Sequence, residues 1–200
     1  MKPSSLVGPL LALGAVGLAA GCHRSSSGSD EGTPAPAVSV LPAPPGLFAL
    51  EDGTTLKLPE GALLLNLVRP PPPGQVSSRI FNVPSEGVIL TVALARPAAQ
   101  TCDAILAGAL AQAGAVGADP KLGRAGAAEK RVLGGHPAAY TEAATRSAQE
   151  AQFNMPYHAT ASYVVCTKGA SVKLTLSLLH GEMNDRARKV LDAVATSVAF

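Results

Sequence analysis

The sequence predicts an α+β domain in which an antiparallel β-sheet packs against helices. Several segments alternate apolar and polar residues at period two, as half-buried strands do, and two segments carry an apolar stripe at helical spacing. Strand-like segments lie on both sides of the first helix along the chain, which favours α+β over a parallel sheet. Hydrophobic residues make up 47% of the chain, which is enough to bury a core.

The first 21 residues predict a signal peptide. Met1-Lys2 is followed by an apolar run over residues 6–20, which is shorter than the roughly 20 residues that a membrane-spanning helix needs. The ending LAAGC (residues 18–22) resembles the lipobox of bacterial lipoproteins, although Ala19 stands where leucine is commonest. The resemblance implies that Cys22 receives a lipid and becomes the first residue of the mature chain. An ordinary signal peptide cut near Ala20 is the alternative.

Residues 22–45 are interpreted as a tether, because they are rich in Ser, Gly and Pro and hold few apolar residues. By analogy with enterobacterial sorting rules, His23 in place of an aspartate after Cys22 favours the outer membrane. Residues 46–200 then form one domain of ordinary size. The net charge of +2, without a cluster of Lys or Arg, argues against a nucleic-acid partner.

Strands are predicted from alternation in VILTVALA (residues 88–95), in HPAAYTEAATR (136–146), and in a hairpin formed by residues 157–166 and 171–180. A two-residue loop at Lys168-Gly169 would place each apolar residue of the hairpin opposite an apolar partner, so that Tyr163 faces Leu174. Shorter strands are expected in TLKLPEGALLLNLV (55–68) and SSRIFNV (77–83).

Two helices are predicted from capping residues and apolar stripes. Thr101 is the expected N-cap of the first helix, and Asn184 or Asp185 that of the last one. The first stripe consists of Cys102, Ile105, Leu106, Ala109, Leu110 and Ala113, and the helix is expected to end at Gly114. The last stripe consists of Ala187, Val190, Leu191, Val194 and Val198.

Cys102 and Cys166 are the cysteines within the domain, and an even pair in an oxidising compartment indicates one disulfide. Two buried free thiols are the alternative. Cys102 lies on an apolar helix stripe, whereas Cys166 lies on the polar face of its strand. A bridge therefore requires the first helix to cover that face, or both sulfurs to meet at the end of the sheet.

The order of these elements resembles the PsbP/DcrB-like fold group. The segments that carry the resemblance are KLPEGALL (57–64), LGGHPAAYTEA (133–143), ASYVVCTKGASVKLTLSLL (161–179) and the closing VATSVAF (194–200). The resemblance implies an αβα sandwich with an antiparallel sheet. It also implies an accessory or binding role, since members include an extrinsic photosystem subunit, envelope lipoproteins and a nuclear GTPase-binding protein. It brings no catalytic residue with it.

The sequence contains none of the common nucleophile, zinc-protease, phosphate-loop or dinucleotide motifs. No cofactor and no metal site are expected. In the predicted hairpin Tyr157 faces His180, and adjacent residues of a strand point to opposite faces, so the rings of His158 and His180 diverge. The carboxylates Glu129, Glu142 and Glu150 show no pairing that would indicate acid–base catalysis. Tyr140, Tyr157 and Tyr163 are the candidate lining of a ligand pocket.

The sequence thus predicts a lipid-anchored envelope protein whose domain is not an enzyme and binds or supports another envelope protein. A carrier or sensor of a small apolar ligand, held between sheet and helix, is the alternative. A hydrolase with an unrecognised site is a third hypothesis.

Overall fold

The domain is known from a computed structural model. Cys22, the predicted signal peptide, Lys168-Gly169 and His180 lie outside the residues that it describes. The described residues are 39–43, 46–51, 53–66, 75–95, 100–167, 170–179 and 181–200.

Most of the described strands form one eight-stranded sheet, in which neighbouring strands are antiparallel. The strands are β1 (Ser39–Pro42), β2 (Leu47–Ala49), β3 (Thr55–Lys57), β4 (Leu63–Asn66), β5 (Gln75–Val83), β6 (Val88–Ala95), β7 (Gly123–Leu133), β8 (His136–Thr145), β9 (His158–Thr167) and β10 (Ala170–Leu178). Their order across the large sheet is β1-β4-β5-β6-β10-β9-β8-β7, while β2 and β3 pair separately. The predicted α+β class is confirmed.

Among the described residues, three α-helices accompany the strands: α1 (Cys102–Ala115), α2 (Ala148–Gln152) and α3 (Asp185–Thr196). Thr101 caps α1 by accepting a hydrogen bond from the Ala104 amide, and Asn184 caps α3 by accepting one from the Ala187 amide. Thr101 was the predicted cap of α1, and Asn184 is one of the two residues predicted to cap α3, because short polar side chains satisfy amides that have no partner within the helix. Helix α1 continues one residue beyond Gly114. Within the part of the chain that the structure describes, no helix has the length and apolar character needed to cross a membrane.

The large sheet lies between two apolar layers. On one face, α3 and the β2–β3 pair cover the alternating side chains of β6, β8 and β9, and Phe48 of β2 meets Phe81 edge-on at 5.1 Å. On the other face, α1 covers a smaller cluster around Leu106, Ala139 and Val164. Val88, Leu90, Val92 and Leu94 are all fully buried, as the alternation in VILTVALA predicted.

The predicted hairpin register is confirmed. Val165 pairs with Val172, Tyr163 with Leu174, and Ser162 with Thr175. A shift by one residue would turn every apolar side chain to the opposite face, so the alternating pattern and the length of the loop together were enough to predict this register.

The sheet begins earlier than the predicted domain start at residue 46. Ser39–Pro42, which had been assigned to the tether, forms edge strand β1 and pairs with Leu63–Asn66. All four residues of β1 are exposed, so the strand depends on backbone hydrogen bonds to β4 and shows no alternation that the sequence could reveal. A short and exposed strand is typical of sheet edges.

Candidate functional site: a tyrosine–arginine cluster beside the last helix

Two tyrosines that the sequence singled out lie side by side under α3. Tyr140 of β8 and Tyr163 of β9 are direct cross-strand partners, so their side chains share one face of the sheet. Their ring centroids are 4.9 Å apart, and the two residues are only 2% and 1% exposed. Both rings therefore belong to the core, and their hydroxyl ends meet polar groups at its margin.

Each hydroxyl donates a hydrogen bond to a carboxylate. Tyr163 donates to Oδ1 of Asp192 on α3 at 2.7 Å, and Tyr140 donates to Oε1 of Glu142, two residues further along its own strand. Burial, together with the bond to Asp192, raises the pKa of Tyr163 to about 12. Burial and the bond to Glu142 likewise raise the pKa of Tyr140 far above its usual value. Both phenols therefore stay protonated and act as hydrogen-bond donors rather than as bases.

Arg131 of β7 closes the cluster from the edge of the sheet. Its guanidinium carbon lies 4.0 Å from the centre of the Tyr140 ring, a cation–π distance, and Nη1 donates to the Tyr163 hydroxyl. Nη1 also lies 3.6 Å from Oδ1 of Asp192, and Nη2 pairs with Glu129. Arg131 thus connects β7 to both tyrosines and to α3.

Arg188 of α3 holds the second carboxylate. Its Nε donates to Oε1 of Glu142 at 2.7 Å and its Nη2 to Oε2 at 3.0 Å, while its Nη1 reaches Asp185 at 2.9 Å. The hydrogen bonds from Arg188 hold the pKa of Glu142 below its usual value, against the opposing effect of burial. Glu142 is thus an ionised carboxylate with both oxygens engaged.

The chemistry open to this cluster is limited, because its acidic and basic groups already satisfy one another. Glu142 accepts hydrogen bonds from Tyr140 and Arg188, whereas Asp192 accepts one from Tyr163 and forms an ion pair with Arg131. Neither tyrosine has a pKa suited to proton transfer near neutral pH. The arrangement attaches α3 to β7, β8 and β9 by charged contacts at the margin of an apolar core.

Tyr157 lies apart from the other two tyrosines. Its hydroxyl donates to the carbonyl of Pro120 at 2.8 Å, and its ring is flanked by Arg124 at 4.5 Å and Arg146 at 4.4 Å. It is half-buried, six residues before Tyr163 in the chain. The three tyrosines therefore do not line a common pocket, since the core takes two of them and a separate corner of the domain takes the third.

Two surface depressions in the described part of the chain lie away from Tyr140 and Tyr163. One of about 350 Å³ is lined by Leu122, Ala148 and Ala151 among others, and one of about 370 Å³ lies between Pro42 and Leu58. The space between sheet and α3, where a ligand pocket was the alternative expectation, is filled by buried side chains such as Leu191 and Val194.

The cysteines of the domain are joined. Cys102 at the start of α1 bonds to Cys166 of β9, with their Cα atoms 5.6 Å apart. Of the two geometries that could allow the bond, the structure has the first: α1 covers the face of β9 that carries Val164 and Cys166. The apparently polar face is buried at this end of the strand, which explains why a cysteine there is fully shielded from solvent.

The three carboxylates that the sequence analysis considered for acid–base catalysis each have a basic side chain as partner. Glu129 pairs with Arg131, Glu142 with Arg188, and Glu150 with His158, whose Nε2 lies 2.7 Å from Oε1. No group of three His, Cys, Asp or Glu side chains suited to a metal ion occurs among the described residues.

Sequence reasoning found the tyrosines but missed the arginines and Asp192 that complete the cluster. Their signal was weak. Arg188 and Asp192 directly follow the stripe residues Ala187 and Leu191, so they border the buried face of α3. Polar residues in that position can reach over a core to a neighbouring sheet, but helical spacing alone does not say which strand they meet.

Comparison with known proteins identifies the fold. No protein-family model and no curated protein matches the sequence. The solution structure of the cyanobacterial PsbP protein CyanoP from Synechocystis is similar at a TM-score of 0.53 and 17% identity, over 86% of this chain and 97% of that one. The yeast Ran-binding protein Mog1p, from Saccharomyces cerevisiae, is similar at a TM-score of 0.50 and 8% identity, over 82% of this chain and 96% of that one.

A crystal structure from Bacteroides thetaiotaomicron is similar at a TM-score of 0.50 and 11% identity, over 78% of this chain. The match spans about half of that longer protein, 48% of its length. At such identities the likeness shows the fold alone. The domain thus has the antiparallel α+β fold of CyanoP and Mog1p, as its resemblance to the PsbP/DcrB-like group implied.

Proposed function

We propose that this protein is a lipid-anchored component of the bacterial cell envelope. The LAAGC ending at Cys22, after a basic start and a short apolar run, carries the proposal. A thioether-linked diacylglycerol and an amide-linked acyl chain would together hold the protein far more firmly than a single acyl chain does. His23 after the cysteine favours the outer membrane as the destination.

We further propose that the domain is not an enzyme and that it binds or supports another envelope protein. The supporting observation is that the carboxylates of its main polar cluster already have partners, because Glu142 and Asp192 each contact a tyrosine and an arginine. A filled space between the sheet and α3 disfavours a carrier of small apolar ligands at that place.

The anchor is tested by expressing the full chain in a bacterium and following incorporation of a labelled fatty acid. We expect wild type to take the label and to fractionate with membranes, and Cys22→Ser to lose the label and appear in the soluble fraction. Cys102→Ala with Cys166→Ala is the matched control, because it removes two cysteines without touching the lipobox. Equal labelling and equally firm membrane association of Cys22→Ser would refute the anchor.

The binding role is tested by mild cross-linking in cells, detergent extraction, affinity purification and mass spectrometry. The control is a lipidated protein that carries residues 1–38 alone, since the sheet begins at Ser39. A partner captured reproducibly by the full chain but not by this control would support the accessory role. Capture of no partner above the control would count against it.

A further inference from the structure

Two arginines flank the Tyr157 ring at one corner of the domain. Arg124 and Arg146 stack on the Tyr157 ring at 4.5 and 4.4 Å. Within the described part of the chain, neither guanidinium forms an ion pair, and the Arg124 side chain makes no hydrogen bond. Two cations held against one aromatic ring repel each other, so an anion bound there would be stabilised by both.

The arrangement is fixed in advance by backbone contacts. Arg146 donates from Nε to the Lys121 carbonyl at 2.7 Å and from Nη1 to the Met155 carbonyl at 2.9 Å. Tyr157 is held through its hydroxyl by the Pro120 carbonyl. Because the Arg146 side chain is already held, binding an anion there would cost little conformational entropy. The guanidinium N–H groups of Arg124 remain available to the anion.

The acidic groups of the same segments are already engaged. Asp119 accepts a hydrogen bond from the Lys121 amide at 2.9 Å. Glu150 accepts from the Ser147 amide and pairs with His158. The exposed ammonium of Lys121 adds a third positive charge to the corner. The corner holds three cations, Lys121, Arg124 and Arg146, against two carboxylates, Asp119 and Glu150, so its formal charge is positive, although the whole chain carries only +2.

Apolar side chains project from the same corner. Phe153 is 71% exposed and Met155 is 41% exposed, and both follow the short helix α2. Asn154 between them has a φ of 50°, a left-handed conformation that turns the chain sharply. An exposed aromatic ring at a turn, beside cations, matches the interfacial region of a bilayer, where apolar groups enter the acyl boundary and cations meet headgroup phosphates.

We propose that the corner formed by Lys121, Arg124, Arg146, Phe153 and Met155 docks the domain on an anionic lipid surface. This inference rests on the proposed anchor, which would keep the corner near a membrane. The corner lies near β7, at the sheet edge opposite β1, and crossing an eight-stranded sheet takes about 34 Å. The chain between Cys22 and Ser39 can reach at most about 55 Å, so the anchor and the docked corner are sterically compatible.

The test is hydrogen–deuterium exchange on the lipidated full-length product, reconstituted in phosphatidylglycerol–phosphatidylcholine vesicles or in pure phosphatidylcholine vesicles. We expect the anionic vesicles alone to slow exchange around residues 146–157. Arg124→Gln should reduce that slowing about fivefold, because one basic residue near an anionic surface contributes about that factor. Added salt should reduce it further.

Substitutions at Arg124 and Phe153 are chosen because both residues are exposed, so that neither change should unfold the domain. The double variant Arg124→Gln with Phe153→Ser should lose the protection. Its matched control is Lys130→Gln with Leu179→Ser, which removes one exposed cation and one exposed apolar side chain elsewhere and should keep the protection.

The outcomes separate this inference from the anchor. Protein that associates with both kinds of vesicle but shows equal exchange in both would overturn the docking surface and leave the anchor intact. Protein that carries no lipid would overturn the anchor, and the same exchange measurement on that protein with added anionic vesicles would still decide the docking. Protection by soluble polyglutamate equal to that by anionic vesicles would overturn the lipid surface in favour of an acidic protein.

Discussion

Arg188 of α3 donates two hydrogen bonds to Glu142 of β8, from Nε to Oε1 at 2.7 Å and from Nη2 to Oε2 at 3.0 Å. The residues are 46 positions apart in the chain, so this contact reports directly on how the last helix sits against the sheet. The Glu142 side chain is only 13% exposed, which limits competition from water. A two-point contact of this kind fixes orientation as well as distance.

Breaking this contact should destabilise the domain. We expect Glu142→Gln and Arg188→Gln to show a coupling of about 1–2 kcal/mol in a double-mutant cycle, because the pair is half-buried and charge-assisted. Unfolding in urea gives the four free energies. Asp185→Asn is the control, since that carboxylate is 90% exposed and should contribute little. A coupling no larger than that of Asp185 with Arg188 would contradict the structural role.

The same pair should respond to acid. The pKa of Glu142 is lowered below its ordinary value of 4.5, so the pair stabilises the folded state above about that pH and loses its effect as the pH falls through the lowered value. The coupling measured at neutral pH should therefore shrink in strong acid. A coupling that is constant with pH would mean that the ionised form of Glu142 is not the one that binds Arg188.

Two of the three tyrosines should resist ionisation in the folded protein. The pKa of Tyr163 is raised to about 12 by burial and by its bond to Asp192, and that of Tyr140 is raised as well. Titration with base, followed by the ultraviolet absorbance of phenolate, should show both ionising late or together with unfolding. Tyr163→Phe and Tyr140→Phe assign the late component. Early ionisation of all three tyrosines, with the fold intact, would contradict their burial.

Glu150 should titrate unusually low. The hydrogen bond from His158, followed by those from Ser147, lowers its pKa from 4.5 to about 2. Stability contributed by ionised Glu150 is thus present above about pH 4.5 and is lost as the pH falls toward 2. Carboxyl chemical shifts measured by NMR give the pKa directly. His158→Gln should move it upward more than Ser147→Ala does, and a wild-type midpoint near 4.5 would refute the pairing.

The disulfide between Cys102 and Cys166 should contribute substantially to stability. It closes a loop with a sequence separation of 64, for which chain entropy gives about 4 kcal/mol. We expect a reducing agent to lower the midpoint of urea unfolding of the wild type by a corresponding amount. The variant with Cys102→Ala and Cys166→Ala should already unfold at the lower midpoint and should not respond to the reducing agent. Reactive thiols from both residues in unreduced protein would show that the bond is absent.

The local pattern of the sequence was sufficient for much of the fold. The alternation in β9 and β10, together with a two-residue loop at Lys168-Gly169, predicted their register, because a slip by one residue would place apolar residues opposite polar ones. Thr101 and Asn184 marked the starts of α1 and α3, because their side chains satisfy free amides within the next three residues. Edge strand β1 gave no such signal, because its exposed residues do not alternate.

Tertiary structure alone decided how these elements come together. Cys166 lies on the polar side of its strand, and only the placement of α1 over that side makes the bond to Cys102 possible. Likewise, Tyr140 and Tyr163 meet Arg131, Arg188 and Asp192 because β7, β8, β9 and α3 converge, while Tyr157 is held elsewhere by Arg124 and Arg146. The alternation of a strand and the capping of a helix depend on residues a few positions apart, so both can be predicted from the sequence. Contacts between elements depend on three-dimensional packing, which no short stretch of sequence contains.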